Sequence, residues 1–124
     1  MSEQRKSVLV VDDDASMLKG MLRLLRQHGY ESVPFETGRA LRDHGHFDEA
    51  FCIILDVNLG DGSGIELRYQ LTEQGITLPV IYITGNDSDA TRMAALASGC
   101  VAYLTKPFTA QALIEPIEKA ASIA

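Results

Sequence analysis

Four stretches of this chain are apolar without a break: Val8-Leu9-Val10-Val11, Phe51-Cys52-Ile53-Ile54-Leu55, Val80-Ile81-Tyr82-Ile83 and Val101-Ala102-Tyr103-Leu104. A strand with one face in water alternates apolar and polar residues, so unbroken runs of this length predict strands covered on both faces. The segments between the runs supply the cover. Met17, Leu18, Met21, Leu22, Leu24 and Leu25 recur at helical spacing, with Asp14 as a plausible N-cap and Gly29 as the stop. Similar patterns predict helices near residues 37–44, 64–74, 87–98 and 109–122. Residues 31–35 read as a fifth strand, more polar and interrupted by Pro34, which suits a sheet edge because proline has no N–H to donate to a neighbour. Five β-then-α units call for an α/β fold: a parallel sheet with right-handed crossovers and helices on both faces. Pro116 breaks a local rule. It falls inside the last predicted helix and removes a hydrogen bond to the carbonyl of Ala112, so a kink or early unwinding is expected there.

A length of 124 residues suits one domain, 1–124, with a single core. Seventeen acidic residues against eleven Lys and Arg give a net charge of −6, a surface that repels nucleic acid and anionic membrane. Residues 1–7 are polar, and the longest apolar run, 50–55, is far too short to span a bilayer, so the expected location is the cytoplasm. Cys52 lies inside an apolar run and Cys100 follows a glycine, which favours free thiols over a disulfide scaffold. The glycine-rich segment 60–64 lacks the Lys-Ser/Thr of a phosphate-cradling loop. His44 and His46, beside Asp43 and Asp48, lack metal-site spacing and read as a solvated connection.

In open parallel sheets ligands sit outside the carboxyl ends of the strands. The residues that follow each strand therefore carry the information: Asp12, Asp13 and Asp14 after the first, Asp56 after the third, Thr84 and Gly85 after the fourth, Thr105, Lys106 and Pro107 after the fifth. Asp14 directly precedes a helical pattern and reads as its cap. The remainder brings three carboxylates, a hydroxyl and an amine to one edge. Asp12, Asp13 and Asp56 close together would raise one another's pKa values unless a cation neutralised them. An oxygen-only set without His or Cys suits Mg²⁺. Lys106 adds a fixed positive charge for phosphoryl oxygens, Thr84 a hydroxyl donor, and Asp56 a nucleophile.

Taken together, Val10-Val11-Asp12-Asp13-Asp14, Leu55-Asp56-Val57-Asn58-Leu59 running on to Gly64, Ile83-Thr84-Gly85 and Tyr103-Leu104-Thr105-Lys106-Pro107-Phe108 resemble the receiver domains of two-component response regulators, and the resemblance covers residues 7–122. It implies a flavodoxin-like, doubly wound, five-stranded parallel sheet of order 2-1-3-4-5 with five helices. By position, Asp56 would be the phosphoacceptor, taking the group from a phosphohistidine on a histidine kinase or phosphotransfer protein, or from a small acyl phosphate. Asp13 and Asp56 would ligate Mg²⁺ (or Mn²⁺) directly, Asn58 through its backbone carbonyl and Asp12 through a water. Thr84 and Lys106 would bind phosphoryl oxygens, and the Lys106-Pro107 peptide would be cis, aiming the amine at the site. Thr84 and Tyr103 would form the switch. Asn58 and Asn86 would tune dephosphorylation, which the same site performs on itself. The surface of helix 4, strand 5 and helix 5 would meet a downstream protein or an output domain, and would support homodimerisation on activation; no direct contact with nucleic acid or membrane is expected.

The chain departs from the pattern twice: Gly60 stands where proline is usual, implying a more mobile loop, and Gly85 where alanine is commoner, giving the backbone more room. An aspartyl-phosphate phosphohydrolase would want a second carboxylate where Asn58 stands. A phosphorylation-independent module would have lost part of Asp12, Asp13, Asp56, Thr84 or Lys106, and all five are kept. A phosphoacceptor switch, rather than an enzyme acting on a separate substrate, is the expected function. A stand-alone receiver is expected in preference to a piece of a longer regulator or hybrid kinase.

Overall fold

A computed structural model of the chain describes residues 7–44 and 46–123, so all but the last residue of the polar 1–7 stretch lies outside it. Strands and helices alternate: β1 Ser7–Val11, α1 Ala15–Gln27, β2 Glu31–Phe35, α2 Gly38–Arg42, β3 Ala50–Asp56, α3 Gly64–Glu73, β4 Val80–Thr84, α4 Asp89–Ala97, β5 Ala102–Thr105 and α5 Ala110–Ser122. A 3-10 turn, Phe47–Glu49, precedes β3, and a two-residue ribbon pairing Asn58–Leu59 with Gly62–Ser63 follows it. The five strands form one parallel sheet in the order β2-β1-β3-β4-β5, the flavodoxin-like arrangement.

The unbroken apolar runs divide by parity. Val8, Val10, Cys52, Ile54, Ile81 and Ile83 pack with Leu18, Met21 and Leu25 of α1 and Leu113, Ile114 and Ile117 of α5. Leu9, Val11, Ile53, Leu55, Val80 and Tyr82 point to the other face and pack with Leu41 of α2, Leu67 and Leu71 of α3 and Ala95 of α4. Each central strand thus feeds two cores, which is why its sequence shows no alternation. Burial of a Leu, Ile or Val side chain contributes about 1.5–3 kcal/mol, so these two layers hold the sheet in place.

Four expectations need correcting. The apolar run at 101–104 does not form a strand buried on both faces: β5 is a sheet edge, and its residues are half-buried or exposed. The last helix neither stops nor unwinds at Pro116 but continues to Ser122, because Leu113, Ile114, Ile117 and Ala120 anchor it to the sheet on both sides of the proline. His44 is half-buried rather than solvated, its ring edge-on to Phe35, His46 and Phe47. The helix near 37–44 is shorter than its pattern, ending at Arg42.

Other local readings hold. Asp14 caps α1 by accepting from the N–H groups of Ser16 and Met17, and Gly29 follows the helix end with φ +85°, the left-handed geometry glycine tolerates. Pro34 lies in edge strand β2, opposite Val10. Cys52 and Cys100 are both free thiols. No helix among the described residues is long and apolar enough to cross a membrane.

Candidate functional site

The carboxyl ends of β1, β3, β4 and β5 open onto one edge, and the pairing of the strands decides what meets there. Asp56 and Thr84 are the last residues of their strands, Asp56 opposite Ile83 and Thr84 opposite Thr105, so each strand runs one residue beyond its apolar run. That placement fixes both by sheet geometry instead of loop geometry. Asp12, Asp56 and Thr84 are buried, at 0%, 3% and 0% exposure, and are the three buried polar or charged residues of the described chain. Asp13 is exposed at the rim.

Asp12, Asp13 and Asp56 each offer a carboxylate oxygen, and these atoms lie within 4.8 Å of one another. The Lys106 Nζ donates to Asp12 Oδ2 at 3.0 Å and to Asp56 Oδ2 at 2.8 Å, linking residues 94 and 50 positions away. The other oxygen of each buried carboxylate is held by backbone: Asp14 N–H donates to Asp12 Oδ1 and Asn58 N–H to Asp56 Oδ1, both at 2.9 Å. Burial raises the Asp56 pKa, and the neighbouring Asp12 charge adds to this, against the hydrogen bonds from Lys106 and Asn58 that lower it. For Lys106 burial acts downward, yet the hydrogen bonds and charges of Asp56 and Asp12 outweigh it and the ammonium is held more firmly than usual. The Lys106-Pro107 peptide is cis, as the motif implied.

The Thr84 hydroxyl accepts from the Asn86 N–H at 3.0 Å and from Asn58 Nδ2 at 3.4 Å, so both asparagines converge on it. Lys106 N–H donates to the Thr84 carbonyl at 2.8 Å, clamping the ends of β4 and β5 together. Gly64 closes the loop after β3: its N–H donates to the Val57 carbonyl, and its Cα packs so tightly on the Asp56 carbonyl that a side chain cannot fit.

Tyr103 stands apart from the acidic cluster, on β5. Its hydroxyl donates to Asp87 Oδ1 at 2.9 Å, the other oxygen of Asp87 takes the Arg92 guanidinium, and that guanidinium lies 5.8 Å from the Tyr103 ring centre. Burial, then the hydrogen bond to Asp87, raises the Tyr103 pKa. Sequence reading identified Tyr103 but missed Asp87 and Arg92. It also missed Asp61, whose carboxylate accepts from the N–H groups of Gly38 and Arg39. No local pattern pointed to Asp61 or Asp87, because Gly38, Arg39 and Tyr103, which bond to them, lie on other elements.

The chemistry of the donor set fits a hard divalent cation: three carboxylates, no soft ligand, and an exposed member, Asp13, facing the solvent from which the ion would come. A family model described as the response regulator receiver domain matches residues 8–118. The chain belongs to the response regulator receiver family. This receiver domain, a phosphoacceptor signalling switch, is 34% identical over 110 residues to nodulation protein W of Bradyrhizobium diazoefficiens, covering 89% of the present chain and 48% of that protein. The receiver spans about half the length of the curated relatives it matches. Among solved structures, a CheY-like response regulator receiver domain protein from Methanospirillum hungatei superposes with a TM-score of 0.85 at 27% identity, over 95% of this chain and 94% of that one. The receiver domain of DrrB, solved in a BeF3-activated state, superposes with a TM-score of 0.84 at 28% identity, over 94% and 97%.

Proposed function

We propose that Asp56 is the residue phosphorylated, and that Asp12, Asp13, Asp56 and Asn58 hold a Mg²⁺ or Mn²⁺ ion while Thr84 and Lys106 hold the phosphoryl oxygens. The observation that carries this reading is the position of the Lys106 ammonium, bonded to Asp12 and Asp56 together. A group that already bridges two buried carboxylates at the sheet edge can follow negative charge as it arrives on Asp56. The receiver would take its phosphoryl group from a histidine kinase or phosphotransfer protein in the cytoplasm. Asp56 Oδ attacks phosphorus, the bond from phosphorus to the donor nitrogen breaks, and an acyl phosphate forms. A bound divalent ion would supply charge neutralisation on the oxygens involved. Lys106 fixes one side of the phosphoryl group and the Thr84 hydroxyl another. To reset the switch, a water in line with the acyl phosphate attacks phosphorus, the bond from phosphorus to the Asp56 oxygen breaks, and inorganic phosphate leaves the carboxylate free. Asn58 through its side chain and Asn86 through its backbone N–H, both bonded to the Thr84 hydroxyl, tune access to that line.

The switch follows from competition for Thr84. When its hydroxyl turns to the phosphoryl group, space opens beside β5 and Tyr103 rotates inward, leaving Asp87 and Arg92. The surface of α4, β5 and α5 changes as a result and meets a downstream protein, an output domain or a second receiver. Residues 1–124 act as one receiver domain in this scheme.

Intact-mass spectrometry after incubation with acetyl phosphate and Mg²⁺ tests it. A single phosphoryl adduct is expected in the wild type, none in Asp56→Ala and none with a chelator. An adduct that survives Asp56→Ala would put the phosphoacceptor elsewhere.

A further inference from the structure

The loop from Val57 to Gly64 carries Asn58 and folds back on itself through the Asn58–Leu59 and Gly62–Ser63 ribbon, with Leu59 buried. Its near side touches the site: Asn58 N–H donates to Asp56 Oδ1 at 2.9 Å, and the Gly60 Cα faces Asp13, with room for a methyl group 3.5 Å from Asp13 Oδ2. Its ends are pinned, Val57 N–H to the Ile83 carbonyl at 2.9 Å and Gly64 N–H to the Val57 carbonyl at 2.8 Å. The tip between them reads Gly60-Asp61-Gly62, two residues without side chains flanking one carboxylate. Among the described residues, that tip hydrogen-bonds to another element through Asp61. Asp61 Oδ1 accepts from Gly38 N–H and Oδ2 from Arg39 N–H, both at 3.0 Å. Two bonds from two oxygens to successive amides fix the carboxylate in orientation as well as in place.

We propose that Asp61 is a positioning residue for the metal-binding half of the site: by tethering the loop tip to the start of α2, it holds Gly60 against Asp13 and keeps the Asn58 carbonyl in register. The proposal rests on the reading of Asp13 and Asn58 as ligands given above. Groups one step removed from a metal orient the groups that touch it, and their loss weakens binding without removing a ligand. The hydrogen bonds from Gly38 and Arg39 hold the Asp61 carboxyl below the usual range, which favours its charged form.

A plainer role competes. Gly38 and Arg39 open α2, and their N–H groups have no partner within the helix, so Asp61 also serves as an external cap. Thr37 separates the two roles, since its hydroxyl caps the same helix through Ala40 N–H at 3.1 Å, a bond within α2's own first turn that does not reach the loop.

The experiment is a Mg²⁺ titration of the full chain followed by amide shifts in ¹⁵N-labelled protein, comparing wild type, Asp61→Ala, Asp61→Asn and Thr37→Ala. Asp61→Ala is expected to weaken Mg²⁺ about tenfold, Asp61→Asn, which keeps one acceptor oxygen, to fall between, and Thr37→Ala to match wild type. Asp61→Ala binding Mg²⁺ like wild type overturns the proposal. So does an equal loss in Thr37→Ala, which would reduce Asp61 to a cap of α2. If Asp61→Ala fails to give a folded spectrum, Asp61→Asn against Thr37→Ala decides alone. Wild type showing no Mg²⁺-dependent shifts near Asp12, Asp13 and Asp56 would reject the metal reading itself, and the positioning role with it.

Discussion

At Gly64 a hydrogen atom is all the structure admits, since a methyl group there would fall inside the surface of the Asp56 carbonyl oxygen. That backbone cannot yield without moving the end of β3. Gly64→Ala is therefore expected to cost about 2 kcal/mol, read as a lower urea midpoint, and to weaken phosphorylation because Asp56 shifts with its carbonyl. Gly85 is the contrast. A methyl group there would meet Lys106 Cδ at 3.9 Å, an ordinary contact, so Gly85→Ala should leave stability within about 0.5 kcal/mol. The extra room read from the sequence at Gly85 is thus not required by its surroundings. Asp61 supplies a pH test. Its carboxyl is held below the usual range by Gly38 and Arg39 N–H, so the tether contributes stability above the ordinary aspartate pKa and loses it as pH falls through the depressed value. The gap in urea midpoint between wild type and Asp61→Asn should be full near neutrality and close in acid.

Between elements, the arrangement worth testing is the one that ties β5 to the start of α4. Asp87 receives Tyr103 with one oxygen and Arg92 with the other, holding the tyrosine on the outer side of the edge strand. A hydrogen bond of this exposed kind contributes about 1 kcal/mol, roughly fivefold in a conformational equilibrium. Asp87→Ala should then need about fivefold less beryllofluoride to reach half-maximal shift of the Tyr103 signals. An unchanged or increased requirement would show that the outward contact does not oppose the switch. Helix α5 makes a different point about elements. Proline inside a helix costs about 3 kcal/mol in isolation, yet α5 runs from Ala110 to Ser122 because its apolar stripe is buried against β1, β3 and β4. Packing overrides the local preference.

Over the whole molecule, stability is distributed unevenly. Strands β1, β3 and β4 are buried almost throughout, whereas β2 and β5 form the edges. In α4 Ala95 is buried, while Met93 and Leu96 are 70% and 59% exposed. Amide hydrogen exchange should therefore be slowest in β1, β3 and β4 and markedly faster in α4 and β5. Equal protection across the sheet would contradict this. The weakly packed side is the one proposed to reshape on phosphorylation, a sensible place for movement since few apolar contacts must be broken to allow it.

The features set by short-range pattern could be read from the residues alone. Unbroken apolar runs between helical periodicities dictated a parallel sheet covered on both faces, and the residues ending those runs named Asp12, Asp13, Asp56, Thr84 and Lys106, because chain direction in such a sheet sends every strand end to one edge. Features that depend on neighbours distant in the chain emerged only on folding. Folding left the edge run at 101–104 only half-buried instead of covered on both faces, carried α5 through Pro116, and brought Asp61 to the amides of Gly38 and Arg39 and Asp87 to Tyr103. Periodicity records which way a side chain faces, but not which element lies opposite it; that is set only when the strands take their order and the helices close over them.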